Sequence, residues 1–106
     1  MNRNEYNGWT NYETWLVNMW IDNDEGSQDM WRERAEEAIA ATDDSQTFEE
    51  RKADAVSELE DTMKAEFEEG AESLGLTGFW VDLVNSALSE VNWREIATAI
   101  LGSCEE

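Results

Sequence analysis

Residues 47–74 read TFEERKADAVSELEDTMKAEFEEGAESL. At the period of an α-helix, Val56, Leu59, Met63, Phe67 and Leu74 fall on one face of this stretch. Glu50, Asp54, Glu58, Asp61, Glu68, Glu69 and Glu72 fall on the opposite face. Thr47-Phe48-Glu49-Glu50 is a capping box, in which the hydroxyl and the carboxylate each close a free backbone donor. Gly75 supplies the left-handed residue that commonly follows a helix end, and Gly70 is a weak point before it. The stretch predicts one long helix, with about 33 Å between Glu50 and Glu72 at 1.5 Å per residue. Like charges three or four residues apart destabilise a helix by roughly 0.2–0.5 kcal/mol per pair. A chain that repeats this cost along one stripe either lives in high salt or uses the stripe.

The flanking sequence also reads as helix. Thr10-Asn11-Tyr12-Glu13 matches a capping box and opens a helix over about 11–23, with Tyr12, Trp15, Leu16, Met19 and Trp20 as its apolar stripe. Residues 1–9 are polar and read as irregular. Ser27 is a candidate cap for a second helix to about Ala41 that buries Trp31, Ala35, Ala38 and Ile39. Beyond the central helix, Thr77 starts a fourth that carries Trp80, Leu83, Val84, Ala87 and Leu88. Asn92-Trp93-Arg94-Glu95 opens a short last helix with Trp93, Ile96, Ala97, Ile100 and Leu101 inward. No strand and no internal repeat is evident. The expected fold is all-α: a single domain over residues 1–106, built as a compact bundle of about five helices around a long acidic one.

Composition agrees with this reading. The chain has 106 residues, 41% of them apolar, six of them Trp, and no Pro, which suits a packed helical core rather than a disordered acidic tail. Net charge is −19, from 26 acids against 7 bases. Direct binding to nucleic acid or anionic lipid is disfavoured, because both need a positive surface, whereas basic partners are attracted and steered. Residues 43–72 hold twelve acids against three bases, so the charge concentrates on the central helix. Glu outnumbers Asp by 18 to 8 and large aromatics are abundant, which speaks against adaptation to high salt. Cys104 is alone and cannot form an internal disulfide. No stretch is long and apolar enough for a membrane span, and Met1-Asn2-Arg3-Asn4-Glu5 lacks a signal-peptide core, so a cytoplasmic protein is expected.

Asn7-Gly8-Trp9-Thr10-Asn11-Tyr12-Glu13-Thr14-Trp15, continued by Leu16-Val17-Asn18, resembles a family of small proteins of phages, plasmids and other mobile elements. Ala87-Leu88-Ser89-Glu90-Val91-Asn92-Trp93-Arg94-Glu95-Ile96-Ala97 looks like the second segment that family shares. The two segments make up about a quarter of the chain, and the resemblance implies genomic company rather than a chemistry. In composition the chain is also similar to the DNA-mimicking anti-restriction and anti-CRISPR proteins of phages.

No catalytic constellation stands out, and no enzyme, cofactor or metal is expected. The chain has no His, the usual proton shuttle at neutral pH. Cys104 lies beside Glu105 and Glu106, and negative charge raises a thiol pKa. Asp22, Asp24, Gly26, Asp29 and Glu33 have an EF-hand-like rhythm, but Gly falls at the fifth position where the turn needs it at the sixth, so a cap-and-loop reading is preferred. Trp15, Trp20, Trp31, Trp80 and Trp93 lie on predicted apolar faces and are expected in the core; Trp9 is placed to staple the first helix. The functional expectation is an acidic inhibitor that mimics nucleic acid and blocks the groove of a basic host protein. Glu50, Asp54, Glu58, Asp61, Glu68, Glu69 and Glu72 stand in for phosphates, with Asp43 and Asp44 extending the stripe and Glu36 and Glu37 flanking it. The alternative is a non-enzymatic interaction module that binds through an apolar patch around Trp9 or Trp80. Either form is expected to be a monomer or a homodimer.

Overall fold

Helix α3 (Phe48–Ser73) is the spine of the molecule. In the computed structural model, which describes residues 5–104, it is accompanied by α1 (Tyr12–Asn23), α2 (Glu25–Ala40), α4 (Phe79–Ser89) and α5 (Trp93–Gly102). The capping box at its start is closed from both sides: Glu50 N–H donates to Thr47 Oγ1 at 3.2 Å, and Thr47 N–H donates to Glu50 Oε1 at 3.0 Å. The helix runs through Gly70 without a break and ends at Leu74, where Gly75 takes a φ of 74°. A side chain is strained in that left-handed conformation, which is why Gly sits there.

The inner face of α3 buries Ala55, Val56, Leu59, Met63 and Ala71. Against it pack Trp31, Ala35, Ala38 and Ile39 of α2, and Trp93, Ile96, Ala97 and Leu101 of α5. The fully covered alanines Ala35, Ala55 and Ala97 keep the contact surfaces small, which lets the helices approach closely. Phe67 joins the three helices, its ring centroid 6.1 Å from that of Trp31 and 5.3 Å from that of Trp93. The fold is thus the all-α bundle that the periodicities predict. Among the described residues the one β feature is an isolated bridge between Tyr6 and Trp9.

That bridge corrects the reading of the N-terminus as irregular. Tyr6 N–H donates to Trp9 O at 2.9 Å and Trp9 N–H to Tyr6 O at 2.8 Å, around Asn7 and Gly8 with φ of 48° and 87°. Two successive positive φ values make the tight turn for which Asn-Gly is the preferred pair. Tyr6 then packs edge-on against Tyr12 and at a tilt against Trp15, at 5.1 and 4.9 Å between centroids. Trp9 is half-buried against the core and lines a cleft with Ile21, Trp31 and Ile100, so it packs across the bundle rather than on the first turn of α1.

The cap of α1 is Asn11, not Thr10. Asn11 Oδ1 accepts from Thr14 N–H at 2.9 Å, while Thr10 turns to the far end of the chain. Thr10 N–H donates to Glu95 Oε1 at 3.0 Å, and Asn92 Nδ2 donates to Thr10 Oγ1 at 3.1 Å. Asn11 Nδ2 reaches Glu90 O at 2.6 Å, and Asn92 N–H donates to Thr14 Oγ1 at 2.9 Å. Asn92 caps α5 by accepting from Glu95 N–H at 3.1 Å. The predicted Asn92–Glu95 box is therefore half-exchanged: the Glu95 carboxylate closes a donor of the N-terminal segment, and Asn92 N–H is closed by α1. Thr14, at the centre of this clasp, is the buried polar residue among the described residues. The exchange rotates α1, so Thr14 and Ile21 point inward and the expected stripe does not; Trp15, Leu16 and Met19 are half-buried, and Tyr12 and Trp20 are exposed.

Two further expectations are corrected. Asp24 rather than Ser27 caps α2, accepting from Gly26 N–H at 3.2 Å and from the Ser27 hydroxyl at 2.9 Å. Residues 25–33 are consequently helical, and the Asp22–Glu33 stretch forms no twelve-residue loop. Helix α4 begins at Phe79 behind Gly78, without a side-chain cap, and buries no residue completely. Trp80 is 61% exposed and Leu74 is 74% exposed, so neither belongs to the core. Helix α4 shares its extensive contacts with α3, and one neighbour covers only one side of a helix.

Thr14→Val keeps the shape of the side chain but leaves Asn92 N–H unpaired in the clasp. The expected loss is about 1–3 kcal/mol in urea unfolding. Trp93→Ala, which empties a large buried site, is expected to lose about 3–5 kcal/mol. Trp20→Ala and Trp80→Ala should each stay within about 0.5 kcal/mol of the parent, as surface changes do.

Candidate functional site

All seven carboxylates of the predicted stripe, Glu50, Asp54, Glu58, Asp61, Glu68, Glu69 and Glu72, are exposed on α3. Packing against α2 and α5 fixes this orientation, because Leu59 and Met63 can be covered only if the opposite face points to solvent. The stripe is dense from Glu50 to Asp61, where successive acids are three or four residues apart. It then opens at Lys64 and Ala65, both exposed, and resumes at Glu68.

Arg34, Arg51, Lys52 and Arg94 are engaged along the flanks of α3, and Lys64 is the base that stands on this face, beside Asp61, Glu68 and Glu72. Arg34 of α2 pairs with Glu66 at 2.6 Å and lies over the Trp31 ring. Arg94 of α5 pairs with Glu60 at 3.3 Å and donates to Ser57 Oγ at 3.2 Å. Arg51 donates to Ile39 O at 3.2 Å and Thr42 Oγ1 at 3.0 Å, and pairs with Asp44 at 3.3 Å; Lys52 pairs with Glu49 at 3.3 Å. Among the described residues, Asp54, Glu58, Asp61, Glu68, Glu69 and Glu72 take part in no ion pair. Helix α3 also has no basic residue in its last turn, where Glu72 faces the unfavourable end of the helix dipole.

The remaining acids of the expected site have structural neighbours. Glu50 closes the α3 capping box, and the hydrogen bond from Thr47 N–H holds its carboxyl below the usual range. Asp43 accepts from Ser45 N–H at 2.9 Å, and the bonds from Ser45 lower its pKa likewise. For both, the stabilisation is complete at neutral pH and is lost as the pH falls through the lowered values. Asp44 is partly neutralised by Arg51. Glu36 is close enough to Cys104 to raise the thiol pKa, whereas Arg34, two residues earlier, reaches α3. Two residues turn a helix by about 200°, so Glu36 stands on the α5 side of α2, away from the stripe. Glu37 is exposed.

Cys104 is buried, and burial first, then Glu36, pushes its thiol pKa up. The residues expected to act on it, Glu105 and Glu106, lie outside the described residues. Asp29 and Glu33 are on the exposed side of α2.

The second exposed surface is the Trp80 patch of the alternative reading, on a helix whose apolar face was expected in the core. Phe79, Trp80 and Leu83 of α4 stand exposed, near a groove of about 530 Å³ lined by Met30, Phe67, Leu74, Val84 and Leu88. The signal for it was that α4 carries apolar residues on more than one stripe, whereas a helix with one neighbour can bury only one.

The chain belongs to the family of unknown function DUF7249, whose model matches residues 2–100. No curated protein and no solved structure matches it.

Asp54→Asn, Glu58→Gln and Asp61→Asn together remove the like-charge pairs 50–54, 54–58 and 58–61 with little change of shape. The expected gain in stability is about 0.6–1.5 kcal/mol at low salt, read as a raised melting temperature. Sodium chloride should raise the melting temperature of the parent more than that of the triple variant, because less repulsion is left to screen.

Proposed function

We propose that this chain is a non-enzymatic inhibitor carried by a mobile element, and that the outer face of α3 enters the nucleic-acid groove of a basic host protein. A restriction or CRISPR effector is the type of target that fits. The observation that carries this reading is the run of exposed carboxylates without ion-pair partners, on a helix whose nearby arginines are all turned to its flanks. A merely soluble surface would gain by interspersing both signs of charge, as natural surfaces do. Over about 33 Å one strand of a duplex presents about ten phosphates, against seven carboxylates here. The charge is carried on a helix whose inner face is already packed against α2, α4 and α5, so its backbone needs no ordering on binding. The resemblance of the Asn7–Trp15 and Ala87–Ala97 segments to proteins of mobile elements supports the same setting, in which the inhibitor acts in the cytoplasm of the host.

A second reading, an interaction module with acids for solubility only, draws on α4. Trp80 is accessible there, whereas Trp9 is half-buried against the core. The two readings differ in salt dependence: phosphate mimicry weakens as salt rises, and an apolar contact does not.

The test is competition with a DNA or RNA duplex for a candidate effector, or plaque counts on a restricting host. The triple variant Asp54→Asn, Glu58→Gln, Asp61→Asn is expected to compete less well than the parent, with a shallower salt dependence, although it is the more stable protein. Equal inhibition by the two proteins at physiological salt would show that the acids serve solubility alone.

A further inference from the structure

We propose that the outer face of α4 is a self-association surface, on which a second copy of this chain docks about a two-fold axis. Around α4, Val81, Val84 and Leu88 lie on the side turned to α3, while Trp80, Leu83 and Ala87 form a second stripe at spacings of three and four residues. A stripe of that kind is the narrow seam by which helices pair. Leu74, Phe79, Trp80 and Leu83 are 50–74% exposed. With about 150–250 Å² for each aromatic side chain, Phe79 and Trp80 at 69% and 61% exposure offer roughly 200–300 Å², to which Leu74 and Leu83 add. The neighbouring groove beside Met30 and Leu74 extends the surface. A stable interface needs about 600–1,000 Å² from each partner, which patch and groove together approach.

Charge selects the occupant. Residues 73–89 carry one charged side chain, Asp82, in a chain of net charge −19. Val81 and Asn85 line a groove with Glu68 and Glu72 of the acidic face, and at 100° per residue they lie about 160° around α4 from Leu83. The apolar stripe therefore points away from the carboxylates. It is the part of the molecule where two equally negative chains can meet with the fewest acids opposed. A basic partner finds there only Asp82 on α4 and Glu66 in the groove, which Arg34 already pairs. An anionic membrane is opposed by the net charge, and the polar side of α4, Asp82, Ser86 and Ser89, lacks the lysines and arginines of a membrane-surface helix. Under a two-fold axis the same patch faces itself, so Trp80 and Leu83 supply both sides of the contact.

The proposal stands independently of what the acidic face binds. The experiment is analytical ultracentrifugation of the full chain, at protein concentrations up to about 1 mM and at about 0.1–1 M NaCl. The expected species is a dimer of about 24 kDa, twice the 12.2 kDa chain. It should form more readily as salt rises, because screening relieves the repulsion between the copies. Leu83→Glu and, separately, Trp80→Gln are each expected to raise the dissociation constant at least about tenfold. Both side chains are exposed, so the helical circular dichroism and melting temperature should persist; if Leu83→Glu fails to fold, Phe79→Ser replaces it. The triple variant of the acidic stripe should dimerise at lower salt than the parent. Since that variant is expected to lose target binding, a failure of self-association and a failure of the mimic reading are separable. A parent that stays monomeric at every concentration and salt overturns the proposal, as does a dimer insensitive to all these α4 variants. A monomer that captures a different protein through this face overturns it as well.

Discussion

Everything in this structure depends on the burial of one face of α3 outweighing the repulsion on the other. Ala55, Val56, Leu59 and Met63 are covered by α2 and α5, and a fully buried large apolar side chain contributes about 1.5–3 kcal/mol. The like-charge pairs on the outer face cost about 0.2–0.5 kcal/mol each. A few buried residues therefore exceed the whole electrostatic cost, and the helix runs unbroken from Phe48 to Ser73 with its carboxylates on one side. The arginines reinforce this by binding at the flanks: Arg34 and Arg94 bring one charge each from α2 and α5 to the edges of α3. They tie the spine to its neighbours without adding positive charge to its outer face, where Lys64 interrupts the acids.

The clasp between Thr10, Asn11, Thr14, Asn92 and Glu95 closes the bundle at one end. It brings together two segments about eighty residues apart. Their joint role is structural in the first instance: two helix starts lie side by side, and each supplies hydrogen-bond partners that the other lacks. A buried threonine is tolerated at the centre because its hydroxyl is satisfied from both sides. This arrangement sets the rotation of α1 and anchors the start of α5, and through α5 it holds one wall of the α3 face.

The molecule consequently presents two surfaces of opposite physics on adjacent helices. The face of α3 is charged, long and salt-sensitive; the face of α4 is apolar, short and almost without charge. One attracts over distances of about a Debye length, and the other acts only on contact. They point in different directions around α3 and α4, so occupation of one need not obstruct the other.

The amino-acid sequence by itself determined the helices and the acidic stripe. Both depend on local spacing: the capping box at Thr47, Gly75 at the end, and a period that separates Leu59 and Met63 from Asp54 and Asp61. It also determined that Trp31 and Trp93 lie in the core, since each stands on a helix whose apolar stripe is unambiguous. Tertiary structure alone decided which stripe of α1 is inward, because the clasp partners of Asn11 and Thr14 come from the other end of the chain. It alone decided that Glu36 stands apart from the stripe and that Trp20 and Trp80 are exposed. An apolar stripe records that a helix can be covered, but cover depends on how many neighbours arrive. Helix α3 receives them on both flanks, and α4 has one principal neighbour.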